Sequence, residues 1–380
     1  MKIFILPSWY KSDKHPENCI FIYEQVQGLY RLGHQIIVLS PQLTLYPFCN
    51  RRIEMATDDS SIIMYRNFWT LWPAKFPRHN IRSFERCAFS LFESAILQHG
   101  TPDVIYAHFS SPAGLVASRI GRTYNIPVVV EEHYSGLMQP HLPKYRKMLM
   151  KETVENCNSF ICVSLGLRKA VEKLVGARRN IKVVSNMINP CFQYCPPRKG
   201  TFTFLSIGSL IPRKGFEFLI QCFTEVFKGK NVQLKIAGSG PLKTKLEALI
   251  KTFGMQNQVF LIGQLSREET LAQYKQSHCF VLASKAETFG LVYREAMAVG
   301  RPIISTRHGG FSDEDWHNNY GQLVDYGDVK ALKTSLLYIY EYYREFDLNA
   351  ISNLCLSTCS ENIVIKQIEK TLKEASGILG

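Results

Sequence analysis

The stretch that decides the fold is Ala286-Glu287-Thr288-Phe289-Gly290-Leu291-Val292-Tyr293-Arg294-Glu295-Ala296-Met297-Ala298-Val299-Gly300-Arg301-Pro302. A short apolar run at 279–282 precedes it, and another at 302–305 follows it. Gly300 and Pro302 are typical of the end of a helix. The stretch is therefore predicted to be a loop and a helix between two strands, which is the repeating unit of a parallel sheet.

Two acidic residues in this stretch lie where a ligand is expected. Glu287 follows the first strand, and ligands of such sheets bind outside the carboxyl ends of strands. Glu295 lies in the second turn of the helix, whose first amides, around Phe289, Gly290 and Leu291, suit a phosphate. Carboxylates accept hydrogen bonds from sugar hydroxyls, so the pattern suits a nucleotide-sugar. The alternative is a helix-start acid followed by an ordinary solvent-facing glutamate.

The pattern resembles the E-x7-E motif of the GT-B glycosyltransferases, family 4 in particular. In that family the first glutamate holds the donor sugar and the second holds the ribose of the nucleotide. The resemblance implies a catalytic-site role for Glu287 and a donor-binding role for Glu295. It covers much of 202–324, with further matches at the N-terminus and around His133.

A second segment with phosphate-binding character follows the predicted strand 202–207. Arg213 and Lys214 stand between glycines at a strand–helix junction, which suits a diphosphate; the alternative is a basic turn. The resemblance supports donor binding, because Lys214 matches a lysine of the family. Ser209 stands where the family has an arginine, and Arg213 is the nearest substitute.

Four further glycines match the family's donor site. The resemblance places Gly238 and Gly240 in a tight turn near the base, and Gly309 and Gly310 beside the phosphate. Asp313-Glu314-Asp315 has the D-x-D form of metal-dependent transferases, but it follows glycines rather than a strand, so it is interpreted as a helix-start acid cluster. We therefore expect no metal and no cofactor.

The first half of the chain opens with a β-α-β pattern in which Trp9 follows the first strand. His108 and His133 end two later strands, predicted at 103–108 and 126–133, and face the ligand side by the same rule. A lone histidine is more often a packed or surface residue. The resemblance implies that His133 is the active-site histidine and that His108 and Trp9 lie on the acceptor side. Cys19 stands where the family usually has a glycine.

The chain length of 380 residues predicts two domains. Prolines between 190 and 197 mark the linker. The predicted division is an acceptor-side domain at 1–190, a nucleotide-sugar domain at 200–355, and a C-terminal helix at 356–380 that crosses back to the first domain, as in the family. The predicted fold class is α/β, GT-B, with two Rossmann-like domains facing across a cleft.

The composition limits the partners. The formal net charge of +13 favours anionic partners. No signature of a nucleic-acid module is present, so nucleic acid is not expected.

No run is long enough to span a membrane, and Pro7 interrupts the first apolar run. The eleven cysteines are interpreted as reduced thiols of a cytoplasmic protein. Two basic stretches with apolar neighbours, 69–86 and 144–151, predict binding to an acidic membrane at its inner face, unless they are ordinary solvated faces.

The expected function is that of a retaining, metal-independent glycosyltransferase. It would move a sugar from a nucleotide-sugar donor to a glycan or lipid-linked acceptor in cell-surface polysaccharide synthesis. Two alternatives remain. One is a GT-B nucleotide-sugar epimerase. The other is a non-catalytic nucleotide-binding partner subunit, an idea supported only by Ser209 and Cys19.

Overall fold

The computed structural model describes residues 1–11, 19–44, 53–57, 62–73, 77–138, 141–176, 181–311 and 316–378. The chain forms two compact domains. The first comprises residues 1–187 together with 361–380, and the second comprises residues 188–360.

The first domain is built on a sheet that has eight strands in the described residues. Their order is β3-β4-β2-β1-β5-β6-β7-β8, and every neighbouring pair is parallel except β3 and β4. The strands are β1 Lys2–Pro7, β2 Gln35–Thr44, β3 Glu54–Thr57, β4 Ile63–Thr70, β5 Val104–His108, β6 Val128–Glu132, β7 Ser159–Cys162 and β8 Ile181–Val183. Residues of β5 and β6 are buried throughout, as expected for strands covered on both faces.

The helices of this domain are α1 Ile20–Arg31, α2 Pro77–His99, α3 Leu115–Tyr124, α4 Lys144–Asn156, α5 Leu165–Val175 and, from the end of the chain, α12 Glu361–Ser376. The last helix packs closely on the first. A Cβ at Gly28 of α1 would lie 2.5 Å from the side chain of Ile365 in α12. Four apolar residues of α12 belong to the same buried core as β1, β2 and β5, namely Val364, Ile365, Ile368 and Leu372.

The second domain is built on a parallel sheet with the order β11-β10-β9-β12-β13-β14 in the described residues. The strands are β9 Phe202–Ile207, β10 Val232–Ala237, β11 Val259–Gly263, β12 Cys279–Leu282, β13 Ile303–Thr306 and β14 Gly321–Val324. The helices are α6 Phe216–Phe227, α7 Lys243–Phe253, α8 Arg267–Gln276, α9 Leu291–Ala298, α10 Val329–Tyr342 and α11 Leu348–Cys359. Parallel order with alternating helices is the Rossmann-like arrangement that the sequence predicts.

Several boundaries differ from those predicted. The strand β4 covers Ile63–Thr70 and pairs with both β2 and β3, so this aromatic part of the chain belongs to the sheet. Trp69 is buried against Phe84, with ring centroids 5.6 Å apart. The C-terminal helix predicted at 356–380 is α12, and it follows two others, α10 and α11. Asp347 caps α11 by accepting a hydrogen bond from the amide of Ala350. The segment that returns to the first domain begins at Glu361.

Candidate functional site

The centre of the second domain's site is an ion pair between two side chains that the sequence analysis singled out. Lys214 Nζ lies 2.5 Å from Glu287 Oε1, and the side chains are 13% and 12% exposed. The hydroxyl of Ser284, two residues after β12, donates to the same carboxylate oxygen at 2.7 Å. The pair is therefore largely withdrawn from solvent, yet it remains accessible from one side.

The backbone of two loops explains why these side chains meet. Lys214 ends the short turn Pro212–Lys214, and Gly215 follows it with a φ of 68°. A Cβ at Gly215 would lie only 2.0 Å from the carbonyl oxygen of Ala283, just after β12. Only glycine fits this position, and its contact brings the turn after β9 against the loop that carries Glu287.

Burial and the Lys214–Glu287 ion pair together set the pKa values of the groups at this centre. Burial raises the pKa of Glu287, but the charge and hydrogen bonds of Lys214 and Ser284 outweigh burial and hold the net pKa below its ordinary value. Burial lowers the pKa of His308 to about 4, although the charge of Glu287 acts in the opposite direction. At neutral pH, Glu287 is therefore a carboxylate beside a neutral imidazole.

The start of α9 provides the amides that the sequence analysis assigned to a phosphate. Gly290, with a φ of 77°, precedes the helix, which begins at Leu291. Gly309 and Gly310 form a tight turn in which His308 and Phe311 exchange backbone hydrogen bonds. A Cβ at Gly310 would lie 2.6 Å from the carbonyl oxygen of Phe289, whose side chain is buried.

This close packing joins the glycine turn to the start of the helix. The first amides of a helix have no partner within it and attract anions. The turn and the helix start, which are separate in the sequence, therefore lie side by side in the fold.

Two other predicted glycines hold the loops after β9 and β10 together. Gly238 and Gly240 have φ values of 142° and 153°, in the region that favours glycine. A Cβ at Gly238 would lie 1.9 Å from the carbonyl oxygen of Gly208, and one at Gly240 would lie 2.6 Å from that of Leu210. Their role near the base stays a prediction, whereas their role in loop packing is visible.

The remaining predicted donor residues have clear partners within the domain. Arg213 Nη1 donates a hydrogen bond to the carbonyl of Ala286 at 2.8 Å, so the guanidinium holds the loop that carries Glu287 in place. Glu295 accepts a hydrogen bond from Tyr274 at 3.2 Å and lies 3.7 Å from Arg267. Asp313-Glu314-Asp315, the D-x-D segment, lies outside the described residues.

Four residues of this site were missed by the sequence analysis: Ser284, Tyr293, Arg294 and His308. Ser284 follows a strand, so the rule that identified Glu287 could also have found it. Tyr293 donates to the carbonyl of Leu282 at 2.6 Å, a contact across the fold that leaves no local pattern in the sequence. Arg294 lies on α9 and is buried, although an arginine beside a glutamate predicts a solvated face.

In the first domain, the two predicted histidines meet at the ends of β5 and β6. His108 Nδ1 lies 3.3 Å from His133 Nε2. Glu131 Oε2 lies 3.7 Å from the first of these atoms and 3.9 Å from the second. Among the described residues, only these three groups are spaced to hold a metal ion together. His108 is fully buried beneath His133, while Trp9 is 43% exposed.

Neighbouring polar groups fix this cluster. Both oxygens of Glu131 accept hydrogen bonds, one from Tyr106 and one from Gln25. Burial raises the pKa of Glu131 to about 7, and these hydrogen bonds act in the opposite direction. Burial lowers the pKa of His133 to about 3, so this imidazole is neutral at physiological pH. A neutral histidine can donate or accept one hydrogen bond at each ring nitrogen.

The orientation of His133 is set by its own loop and by aromatic rings. Glu132 accepts hydrogen bonds from the amides of His133 and Tyr134, both at 2.8 Å. The ring of Phe21 lies 4.7 Å from that of His133, and the ring of Phe109 lies 5.3 Å from it. His133 is therefore held rigidly at the edge of the sheet where ligands bind in this fold.

Comparison with protein-family models gives two matches that together cover most of the chain. The model described as Glycosyltransferase Family 4 matches residues 20–191. The model described as Glycosyl transferases group 1 matches residues 195–352. The boundary between the two matches lies close to the boundary between the two domains.

Individual proteins give a consistent result. A putative teichuronic acid biosynthesis glycosyltransferase, TuaC of Bacillus subtilis, is 25% identical over 82% of this chain and 82% of its own length. The phosphatidylinositol N-acetylglucosaminyltransferase gpi3 subunit of Schizosaccharomyces pombe is 29% identical over 76% of this chain and 62% of its own. The structure of Anabaena HepE in complex with UDP superposes with a TM-score of 0.75 at 17% identity, covering 98% of this chain and 100% of that chain. The structural likeness shows that the fold is the same.

Proposed function

Because the chain belongs to the GT-B glycosyltransferases of family 4, we propose that it transfers a sugar from a nucleotide-sugar to a glycan or lipid-linked acceptor, with retention of configuration. The observation that carries this proposal is the Lys214–Glu287 pair beside the start of α9. The cation and the helix start suit the diphosphate of such a donor, and the carboxylate suits the hydroxyls of its sugar.

Each group has a definite task in the proposed reaction. The bond between the anomeric carbon and the diphosphate oxygen breaks, and a bond from that carbon to the acceptor oxygen forms. Lys214 and the first amides of α9 stabilise the charge that develops on the leaving diphosphate. Glu287 accepts a hydrogen bond from a sugar hydroxyl and orients the donor. The acceptor proton passes to an oxygen of the leaving phosphate.

The nucleotide is proposed to bind along α9. Glu295 would accept hydrogen bonds from the ribose hydroxyls, since Tyr274 and Arg267 hold its carboxylate in place. HepE, which has the same fold, was solved with UDP and with UDP-glucose. A uridine nucleotide is therefore the first donor class to test.

No metal is proposed to take part. Lys214 and the helix start provide the positive charge that a divalent ion supplies in other transferases. The His108–Glu131–His133 group fits a metal by spacing alone, but hydrogen bonds from Tyr106 and Gln25 already occupy its carboxylate. The neutral His133 is assigned to hydrogen bonding with a substrate instead, and His108, which is fully buried, is assigned to holding His133 in place.

The experiment that tests this function is a screen of donors followed by an acceptor assay. Saturation-transfer NMR with a panel of nucleotide-sugars identifies the donor, and turnover is then measured against lipid-linked sugars and glycans. We expect one donor class to bind and its sugar to be transferred. Conversion of the donor sugar without any acceptor would indicate the epimerase instead. Binding without any turnover would indicate a non-catalytic subunit.

A second part of the proposal concerns attachment to an acidic membrane surface. Three arginines spaced four residues apart, Arg78, Arg82 and Arg86, are exposed along α2. Four cations are exposed on α4: Lys144, Arg146, Lys147 and Lys151. Arg119 of α3 joins the two helices, because it pairs with Glu85 of α2 and Glu152 of α4. The two basic rows therefore belong to one rigid group of helices.

Exposed apolar side chains accompany these cations. Trp72 is 44% exposed and Met148 is 51% exposed. Tyr145, an apolar neighbour within the predicted basic stretch 144–151, packs instead against the buried cluster of Ile81, Leu115 and Leu149. Each cation near an acidic surface contributes about 1 kcal/mol. Residues 74–76, which complete the first basic stretch, lie outside the described residues.

None of the described helices combines the length and the apolar character that crossing a membrane requires.

Sedimentation with acidic and neutral vesicles across a salt series tests this attachment. The triple variant Lys144→Glu, Lys147→Glu and Lys151→Glu should release the protein from acidic vesicles and leave nucleotide binding unchanged. Arg146 is kept because it donates to the Tyr134 hydroxyl. The matched control changes Lys243, Lys245 and Lys251 of α7, which are also exposed and carry the same charge. Release by both triple variants, or equal binding to both kinds of vesicle, contradicts the proposal.

A further inference from the structure

Arg294 is a buried cation behind the proposed phosphate site. The residue is 8% exposed. Its guanidinium lies 4.2 Å from the ring centroid of Phe311, 5.3 Å from that of Phe289 and 6.0 Å from that of Tyr320. One terminal nitrogen donates to the carbonyl of Gly310 at 3.4 Å. The Nε atom is buried and has no hydrogen-bond partner among the described residues.

This charge is poorly compensated. Within the part of the chain that the structure describes, no carboxylate forms an ion pair with Arg294. Aromatic faces attract a cation, but they supply only partial negative charge. A buried charge without an opposite charge is costly for the folded protein. Such a residue destabilises the fold unless an anion arrives from outside.

Arg301, a second buried arginine of the same domain, provides the contrast. It is 0% exposed, and its guanidinium donates to the carbonyls of Tyr274 at 2.9 Å and Cys195 at 2.7 Å. These contacts connect α8 and the linker to the segment after α9. Arg301 is held by short hydrogen bonds to two segments and acts as a structural residue, although its Nη1 is also without a partner among the described residues. Arg294 contacts its backbone acceptor, Gly310, at the longer distance of 3.4 Å and also interacts with the Tyr320 hydroxyl.

The position of Arg294 indicates which anion could neutralise its charge. Its single backbone contact is to the Gly309–Gly310 turn, which packs on the carbonyl of Phe289 at the start of α9. The charges of Glu287, Lys214 and Arg294 all act on the imidazole of His308, so the arginine lies within electrostatic range of the ion pair. The positive charge of Arg294 therefore acts on the Gly309–Gly310 turn and the start of α9.

The charges of the neighbouring residues show why this cation is needed. Lys214 is neutralised by Glu287. Arg213 is directed to the carbonyl of Ala286, and Ser209 is uncharged. The charge of Lys214 is therefore shared between Glu287 and a bound diphosphate, and a further cation would strengthen the attraction.

We infer that Arg294 is a positioning residue for the donor: its counter-ion is the diphosphate, which binds on the outer side of the Gly309–Gly310 turn and the start of α9. This inference rests on the proposed function. Arg294 acts through the turn and through its electrostatic field rather than by direct contact. Binding of the diphosphate neutralises a charge that the folded protein otherwise carries at a cost.

The inference predicts effects of opposite sign on stability and on binding. Arg294→Met keeps a long side chain among the aromatic rings but removes the charge, so the ligand-free protein should unfold at a temperature no lower than that of the wild type. The same variant should bind nucleoside diphosphates about tenfold more weakly. A purely structural arginine would give a lower unfolding temperature and unchanged affinity.

The experiment uses the full chain in four forms: wild type, Arg294→Met, Arg294→Lys and, as the matched control, Arg301→Met. Thermal unfolding is recorded without ligand, and the Kd values of UDP, ADP, GDP and pyrophosphate are measured by calorimetry. We expect Arg294→Lys to recover part of the lost affinity. The control should unfold at a lower temperature, with its Kd values within about twofold of the wild type.

The outcomes separate this inference from the function on which it rests. If Arg294→Met binds the diphosphate as tightly as the wild type, or unfolds at a lower temperature without ligand, the inference is wrong and the proposed function stands. If the wild type binds none of the probes, the proposed function is wrong, and so is the assignment of a diphosphate as the counter-ion.

Discussion

Replacing Glu287 by Gln tests the centre of the site with a minimal change. The substitution keeps the size of the side chain and removes its charge. In the wild type the carboxylate is 2.5 Å from Lys214 Nζ and accepts a further hydrogen bond from Ser284. A hydrogen bond to a charged group contributes about 1.5–3 kcal/mol. At about 1.4 kcal/mol for each factor of ten, turnover should fall by about tenfold to a hundredfold.

The same substitution should also change how the free energy of unfolding depends on pH. The folded-state pKa of Glu287 lies below its ordinary value, because Lys214 and Ser284 outweigh the effect of burial. Such a group adds stability above the unfolded-state pKa, about 4.3 for glutamate, and the gain is lost as pH falls through the lower folded-state pKa. Urea unfolding across the acid range should show this loss in the wild type and a smaller one in Glu287→Gln.

The assay measures release of nucleoside diphosphate from the donor found in the screen, at saturating acceptor. Glu225→Gln is the control, since Glu225 forms an exposed pair with Lys333 in the same domain, at 2.8 Å. That variant should turn over at the wild-type rate. A Glu287→Gln enzyme whose kcat/KM stays within about twofold of the wild type would refute the assignment of the site.

Three further predictions concern the nucleotide, pH and metals. Glu295→Ala should raise the Kd of the nucleotide by about tenfold, measured by titration calorimetry. Steady-state kinetics should show little change in kcat. An unchanged Kd would contradict the role of Glu295 in binding the ribose. The folded-state pKa of His308 is about 4 and the unfolded-state value is about 6.5, so protonation of the unfolded chain should lower stability as pH falls between these values. His308→Gln should flatten that part of the curve, and an unaltered curve would contradict the assignment. Activity should survive chelation of divalent ions, whereas a loss that manganese restores would show that a metal takes part.

The fold was accessible from the sequence because its signals are local. Strand–loop–helix units such as that from β12 to β13 show apolar runs, glycines and prolines in an order that few other structures produce. Site residues at strand ends could be predicted because a parallel sheet brings the carboxyl ends of all its strands to one edge, where ligands bind. For this reason Glu287 and Lys214, which are 73 positions apart, could both be assigned to the site before their contact was known.

The parts that escaped prediction depend on contacts between distant segments. The burial of Arg294 results from Phe311 and Tyr320, which follow it on later segments. The hydrogen bond from Arg213 to Ala286 depends on how two loops pack, and an adjacent pair of cations gives no sign that their side chains diverge. His108 was predicted near the acceptor, and only the completed sheet shows that it is covered by His133.

The return of α12 has a consequence for how the protein is made. The core of the first domain contains Val364, Ile365, Ile368 and Leu372, which are synthesised after the whole of the second domain. Chains usually fold from the N-terminal domain onward during translation. Here the second domain, continuous from 188 to 360, completes its sequence first, while β1–β8 leave the ribosome with an uncovered apolar groove.

The two ends of the first domain also lie close together, since the Ser376 hydroxyl is 3.8 Å from the sulfur of Met1. A circular permutant that joins these ends and opens the chain between 187 and 188 would make each domain continuous. We expect the second domain of such a permutant to be finished before any strand of the first has emerged, and α12 to be present already when β1 appears, so that the groove is covered as it forms.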